Sequence, residues 1–397
     1  MSTKAAALLR KPGQPERPNL LELFFDLVFV FALNRVSHRL VEDLTEGRAV
    51  LTNASETVLL LLAFLVLWFV TAWVTDIYDL QTPQLQGMVY TAMLGAMIMA
   101  VAVPRAFGDG SLAFAGAYVA VHIIRGLVIV PALRGHAAQR RAAGVLLWFS
   151  LSAVPWIAGA ILPDPARGLL WALAIAIDGA ALLLFYPAPW TLRTPQQWPV
   201  SAEYISERYR QFFIIALGEL ILTTGSAYSD TSHRQGGAAV AFAVSFVTTV
   251  LLFRVYLFKA GQLLPEALAA AREPPRLIRE AFLAHVLMVT GIVVVAVGYE
   301  IVIKHPFGRT EAAWIVAILG GPILFLIGRA LVEHAVFARV SRSRLIGALV
   351  LVGIAPTMTL VPPLAVAVVA VVVLAAIAVS DMMRASGKPP ERPTVPH

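Results

Sequence analysis

Leu21-Glu22-Leu23-Phe24-Phe25-Asp26-Leu27-Val28-Phe29-Val30-Phe31-Ala32-Leu33-Asn34-Arg35 is the first long apolar run of the chain. It is hydrophobic enough to enter a bilayer, yet Glu22, Asp26, Asn34 and Arg35 lie within it or at its rims. Ionisable groups are costly in hydrocarbon and are functional candidates by default. Glu22 and Asp26 are four residues apart, which puts both on one helical face that Val30, Leu33, Asn34 and Ser37 continue. The plainer reading places Glu22 at the membrane interface, bonded to a neighbouring helix, with Asp26 deeper.

Working outward, runs of about 17–25 apolar residues, the length that crosses a hydrocarbon core, recur at 20–41, 56–79, 85–104, 112–131, 144–162, 168–186, 209–227, 237–258, 281–303, 312–332, 345–361 and 363–380. The expected fold class is therefore all-α, a polytopic helical membrane protein with about twelve transmembrane helices. Only Pro362-Pro363 separates the last two runs, which also read as one bent or re-entrant element. Composition agrees: 59% of the 397 residues are hydrophobic and 14% charged, so most side chains face lipid or other helices. The chain has no cysteine, which excludes disulfides, thiolate metal sites and a cysteine nucleophile. The first run ends in Asn34-Arg35-Val36-Ser37-His38-Arg39 rather than at a small-residue cleavage site, so it reads as an uncleaved span and not a signal peptide.

The net charge of +7 has a topological meaning, because the basic residues sit in short loops. The N-terminal tail, the loops with Arg134/Arg140/Arg141, Arg193/Arg208/Arg210, Lys259/Arg272/Arg276/Arg279 and Arg339/Arg342/Arg344, and the tail with Arg384/Lys388/Arg392 fall on one side. The positive-inside rule makes that side cytoplasmic and predicts both termini inside, in a bacterial cytoplasmic (inner) membrane. The expected partners are the lipid bilayer and a small solute or ion. Nucleic acid is not expected, no cofactor is expected, and a homo-oligomer is compatible with the composition.

The expected organisation is a cytoplasmic tail over 1–19, a first six-helix repeat over 20–186, a cytoplasmic linker over 187–205 rich in proline and tryptophan, a second six-helix repeat over 206–380, and a polar, proline-rich disordered tail over 381–397. The repeat rests on laying the run from Glu22 to Leu33 over Glu207 to Leu217 with one gap, and Ala63-Phe64…Thr71…Tyr78 over Ala241-Phe242…Thr249…Tyr256. An even number of spans per half makes such repeats parallel, as in many transporters.

The blocks Glu22-Leu-Phe-Phe-Asp-Leu-Val-Phe-Val-Phe-Ala-Leu33, Trp68…Trp73…Tyr78-Asp79 and Ser206-Glu-Arg-Tyr-Arg-Gln-Phe-Phe-Ile-Ile-Ala-Leu-Gly-Glu-Leu-Ile-Leu222 resemble those of the bacterial low temperature requirement protein A family. The resemblance covers nearly the whole chain. It implies a multi-pass inner-membrane protein linked to growth in the cold, and no settled biochemical activity. Thr75-Asp76-Ile77-Tyr78-Asp79 departs from the more basic, aromatic stretch that the resemblance implies there. The chain also resembles, more faintly, potassium-permeable channels whose first helix carries Phe-Ser-Asp; here Phe25 stands in place of that serine.

The candidate binding or proton/ion-pathway residues follow from charge within spans. They are Glu22, Asp26, Asp76, Asp79, His122, Arg125, Glu219, Arg254, His285 and Arg329. Tyr118, His122 and Arg125 align on one face of the fourth span, which makes Arg125 a partner for Asp26 or Asp76. An unpaired charge in hydrocarbon costs on the order of 3 kcal/mol even on a mild scale, so pairing is favoured. In the seventh span Arg208, Phe212, Ile215, Glu219, Thr223 and Ser226 form a stripe, with Gly218 and Gly225 allowing close helix approach or a broken turn. Arg254, His285 and Arg329 are expected to converge on Glu219; alone, His285 reads as a bonded packing residue. Gly320-Gly321-Pro322 is expected to interrupt the tenth span, and Asp178 in the sixth is a lesser pathway candidate.

No His-Glu-x-x-His or other metal spacing occurs, and no phosphate loop. Three classes fit these residues. The first is a secondary transporter or channel that binds an anionic or zwitterionic solute, or couples it to protons, through Asp26, Glu219 and the arginines. The second is an intramembrane enzyme acting on a lipid or prenyl substrate with Asp76, Asp79 and His122 as acid and base. The third is a scaffold in cold adaptation whose buried charges are all paired.

Overall fold

The computed structural model describes residues 8–10, 18–45, 50–191, 201–230, 236–272, 274–386 and 393–394. Among them the chain forms α1 (Leu20–Thr45), α2 (Val50–Ile77), α3 (Pro83–Ala102), α4 (Ser111–Ala132), α5 (Ala138–Ile161), α6 (Ala166–Leu183), α7 (Ala202–Ser229), α8 (Gly236–Leu257), α9 (Ala260–Ala270), α10 (Pro274–Lys304), α11 (Ala312–Phe337), α12 (Arg342–Ile354) and α13 (Pro363–Ala385), with short 3-10 turns after α3 and α12. No described residue lies in a β-strand, and the fold is that of a polytopic all-α membrane protein. Among the described residues, eleven helical segments, α2 to α13 with α8 and α9 taken together and α3 and α12 each continued by its 3-10 turn, are long and apolar enough to cross a membrane. The predicted loop over 259–279 instead contains α9, whose Leu264, Ala267 and Leu268 are buried. Its 11 residues are too few to span a bilayer alone.

α1 is the predicted span outside that set. Its 26 residues have the length, but its acidic groups make it less apolar. The physical resolution is rotational: Glu22, Phe25, Asp26, Phe29, Leu33 and Ser37 are buried, whereas Leu23, Phe24, Leu27 and Phe31 are exposed. The charges thus point into protein and the apolar side chains face out, as lipid requires.

The chain divides into two compact units, Met1–Val36 with Leu51–Arg208, and Ser37–Val50 with Tyr209–His397. The first is built on aromatic packing. Phe29 meets Phe64 at 6.4 Å between centroids, Phe64 meets Phe114 at 5.8 Å, and Phe114 stacks on Trp171 at 5.7 Å. Such pairs add about 0.5–1.5 kcal/mol beyond the area they bury. The described part of the N-terminal tail is ordered here: Leu9 pairs with Tyr78 in an isolated antiparallel bridge, Arg10 N–H donates to Ile77 O and Asp79 N–H to Leu8 O.

The second unit is built on a glycine seam between α10 and α11. A Cβ at Gly291 would stand 2.6 Å from Phe325 N, one at Gly321 2.6 Å from Val295 N, one at Gly298 2.9 Å from Ile318 Cα, and one at Gly328 2.6 Å from Ala284 O. The backbones touch because these four residues have no side chains, the small-residue packing of membrane helices. α11 runs unbroken through Gly320-Gly321-Pro322, so the expected interruption is absent. Gly321 serves contact rather than a break, and the missing Pro322 N–H is accommodated inside a continuous helix. Gly218 and Gly225 behave oppositely: α7 is also unbroken, and a Cβ at either would meet nothing within 4 Å.

Candidate functional site

In the first unit, the opening stretch finds its partner in Arg208, at the start of α7. Arg208 Nη1 donates to Asp26 Oδ2 at 2.7 Å and Nη2 to Oδ1 at 2.8 Å. Trp68 Nε1 donates to Oδ1 at 2.8 Å, and the guanidinium lies over the Trp68 ring, 5.5 Å from its centroid. Both charged groups are fully buried. This parallel two-bond fork is the strong, geometrically specific form of the Arg–carboxylate pair. Glu22, one turn earlier, accepts the Asn19 N–H at 2.7 Å. It lines a cleft of about 330 Å³ with Arg10, Asp79 and Tyr204.

Asp76 and Asp79 are held at chain turns. Asp76 accepts the Ser201 N–H at 3.1 Å, one residue before α7, where a helix N-terminus favours negative charge. Arg10 stands 3.6 Å from it and stacks over Tyr204 at 4.4 Å. Asp79 accepts the Gln81 N–H at 2.9 Å, closing the turn into α3. His122 stacks on Phe149, with ring centroids 3.8 Å apart.

The expected pairing of Arg125 with Asp26 or Asp76 is not formed. Arg125 donates to Thr71 Oγ1 at 2.6 Å and to His122 Nδ1 at 3.1 Å, while the two carboxylates are engaged by Arg208 and Arg10. Asp178, the lesser candidate, accepts the Tyr118 hydroxyl at 2.8 Å and the Trp156 indole N–H at 3.4 Å.

In the second unit, Glu219 is completely buried. Thr223 Oγ1 donates to its Oε1 at 2.7 Å. The buried Ser37 hydroxyl, which has no other partner, stands beside the carboxylate as a second hydrogen-bonding neighbour. The charged groups that act on Glu219 are His38 and Glu300. Glu300 Oε1 accepts from Lys304 Nζ at 2.6 Å, and its Oε2 lies 3.4 Å from His38 Nδ1. Sequence reasoning missed Glu300, although an acidic residue inside the ninth apolar run was the available signal.

The expected convergence of Arg254, His285 and Arg329 on Glu219 is not what the fold builds. Arg254 is exposed, because Val255 and Tyr256 take the inner face of α8. His285 stacks on Tyr209 at 4.6 Å, and Tyr209 is ten residues, or about 15 Å of helix rise, before Glu219. Its ring nitrogens contact Ala281 O at 2.7 Å and the Tyr256 hydroxyl at 3.1 Å, the bonded packing arrangement. Arg329 Nε donates to Val255 O at 2.9 Å and Nη2 to Phe258 O, closing the end of α8. Beyond it, Arg344 bridges Glu333 at 3.2 Å and Asp381 at 2.9 Å. Glu219 with His38 and Glu300 is therefore a separate cluster, near the C-terminal end of α10.

Comparison with known proteins adds the family. The family model for the bacterial low temperature requirement A protein (LtrA) matches residues 18–379. An uncharacterized protein of Rhizobium meliloti is 32% identical over 325 residues, covering 81% of this chain and 78% of that one. No solved structure matches. The match runs from two residues before α1 to the last turns of α13, through every candidate residue above, and the chain belongs to the bacterial low temperature requirement A family.

Proposed function

We propose that this protein is a secondary transporter or channel for a small solute or ion, residing in the bacterial cytoplasmic membrane with both termini inside. The observation that carries the proposal is the state of Glu219. Asp26 and Asp381 are each neutralised by a buried arginine. Glu219, equally buried, is held by hydroxyl groups and has no arginine or lysine bonded to it among the described residues. Structural carboxylates in a membrane are paired, and one left open marks an ion or proton pathway. His38, half-buried and facing Glu300, supplies a group that exchanges protons near neutral pH. A chain of Glu219, Glu300 and His38 is chemically able to pass a proton.

Full-length protein in proteoliposomes, with a pH-sensitive dye inside and the potential clamped by valinomycin, tests this role. Wild type is expected to carry protons down the imposed gradient, and Glu219→Gln to fall to the rate of empty liposomes. An undiminished rate in the variant would remove Glu219 from the pathway. The orientation is tested separately, since a cysteine-free chain gives no labelling background. Ser386→Cys should react with an impermeant maleimide only after permeabilisation, and Asp230→Cys in intact cells; the reverse pattern would invert the topology.

A further inference from the structure

Arg125 is a buried cation that no carboxylate among the described residues contacts. It is 3% exposed. Its Nη groups donate to Thr71 Oγ1 and His122 Nδ1, and its Nε is buried without a hydrogen-bond partner. A guanidinium offers donors only and stays protonated in proteins. The bond to His122 therefore makes Nδ1 the acceptor and puts the ring proton on Nε2. Nε2 is also buried without a partner. An unmet N–H donor on Arg125 thus accompanies an uncompensated positive charge, while the His122 Nε2–H points to the far side of the ring, away from the guanidinium. The group that answers both demands of Arg125 is an anion that accepts hydrogen bonds.

His122 and Arg125 line a pocket of about 40 Å³ between α2, α4 and α5. Arg141 and Tyr78 also line it. Burial pushes the Tyr78 phenol up to about 12, so it remains neutral and brings no charge that repels an anion. The rest of the lining is apolar, with Val70, Val74, Ile129 and Leu146 among it. An apolar wall returns nothing to a multiply charged, strongly hydrated anion, which would lose its hydration on entry. It does favour a single charge attached to an apolar body.

We infer that this pocket binds a monovalent carboxylate with an apolar body, its charge met by Arg125. The carboxylate is either a bilayer-borne amphiphile or a soluble short-chain acid. The inference deepens the transport reading by naming a solute class, but it stands on residues that the Glu219 test does not touch. Binding is measurable without flux, so either idea fails without the other.

The probe is 8-bromooctanoate, whose bromine quenches nearby indoles, added to full-length protein in detergent. Trp73 lines the pocket and serves as the reporter. Saturable quenching is expected in wild type and its loss in Trp73→Phe. Arg125→Gln should weaken binding about tenfold or more, the loss of one charge-assisted contact. Octanoate should compete and octanol should not. Competition by butyrate equal to that by octanoate would assign the site to a soluble short-chain acid, competition by octanoate alone would assign it to an amphiphile, and acetate competing as well as octanoate would overturn the apolar body. If Arg125→Gln does not fold, Arg125→Lys, which keeps the charge without Nε–H, reads the same donor. No saturable quenching in wild type, unchanged affinity in the folded variants, or octanol competing as well as octanoate would overturn the inference.

Discussion

Asp26→Asn is expected to destabilise the protein by about 3–5 kcal/mol, the cost of leaving one member of a buried ion pair uncompensated. The effect belongs to Arg208 more than to Asp26. Its guanidinium is 0% exposed and gives two short bonds to the one carboxylate, so removing the negative charge strands a positive one in a low-dielectric interior. Removing both charges should be far milder: Asp26→Leu with Arg208→Met replaces the pair by apolar groups, an exchange that is often neutral or stabilising. Thermal unfolding in a fixed detergent, followed by helical signal, measures all of these. A single variant as stable as wild type, or a double variant as unstable as Asp26→Asn, would contradict the pairing. Trp68→Phe removes the indole N–H donor and part of a buried ring, and should cost about 0.5–1.5 kcal/mol for the bond with a further loss for the space left behind.

Gly321→Val is expected to cost about 1–3 kcal/mol or more through overpacking. The added carbons would meet Val295 N and Gly291 O, at 2.6 and 2.9 Å from the Cβ alone. These are backbone atoms of α10 and cannot rotate away, so relief requires the two helices to separate. Gly320→Val is the control: the nearest atom to its Cβ is a side-chain methyl of Val316 at 3.9 Å. The two substitutions are adjacent in sequence and equal in volume and β-branching. A difference in thermal midpoint between them therefore reads the seam together with the crowding of a β-branched residue against Pro322. Equal midpoints would mean that α10 and α11 do not approach through Gly321.

Much of the architecture was legible because the bilayer demands it. Length and apolarity define spans independently of their neighbours, and α2 to α8 and α10 to α13 lie where the apolar runs predict. What failed was local. α9 is too short and too polar at its ends to stand out from a loop. Gly320-Gly321-Pro322 is ambiguous in sequence, since a glycine pair permits either a break or a close contact, and only the presence of α10 decides.

The candidate site was legible as faces rather than as partners. Helical spacing turns Glu22 and Asp26 inward together and finds Glu219 on the buried stripe of α7. It carries no information about which of several arginines stands opposite. Asp26 binds a residue 182 positions away, and Arg125 passes both expected carboxylates by. The expected convergence of His285 on Glu219 is not formed, since ten residues of rise separate Glu219 from the tyrosine on which His285 stacks.

Arg329 carries a further consequence. α8 ends at Leu257, and the carbonyls of Val255 in its last turn and of Phe258 just beyond it accept from a side chain of α11. If α11 slid or turned alone, two carbonyls and one guanidinium would lose their partners at once, at about 1–3 kcal/mol for each group. The end of α8 and the middle of α11 are thus bound to travel as a single lever, and any conformational cycle must place its hinge elsewhere.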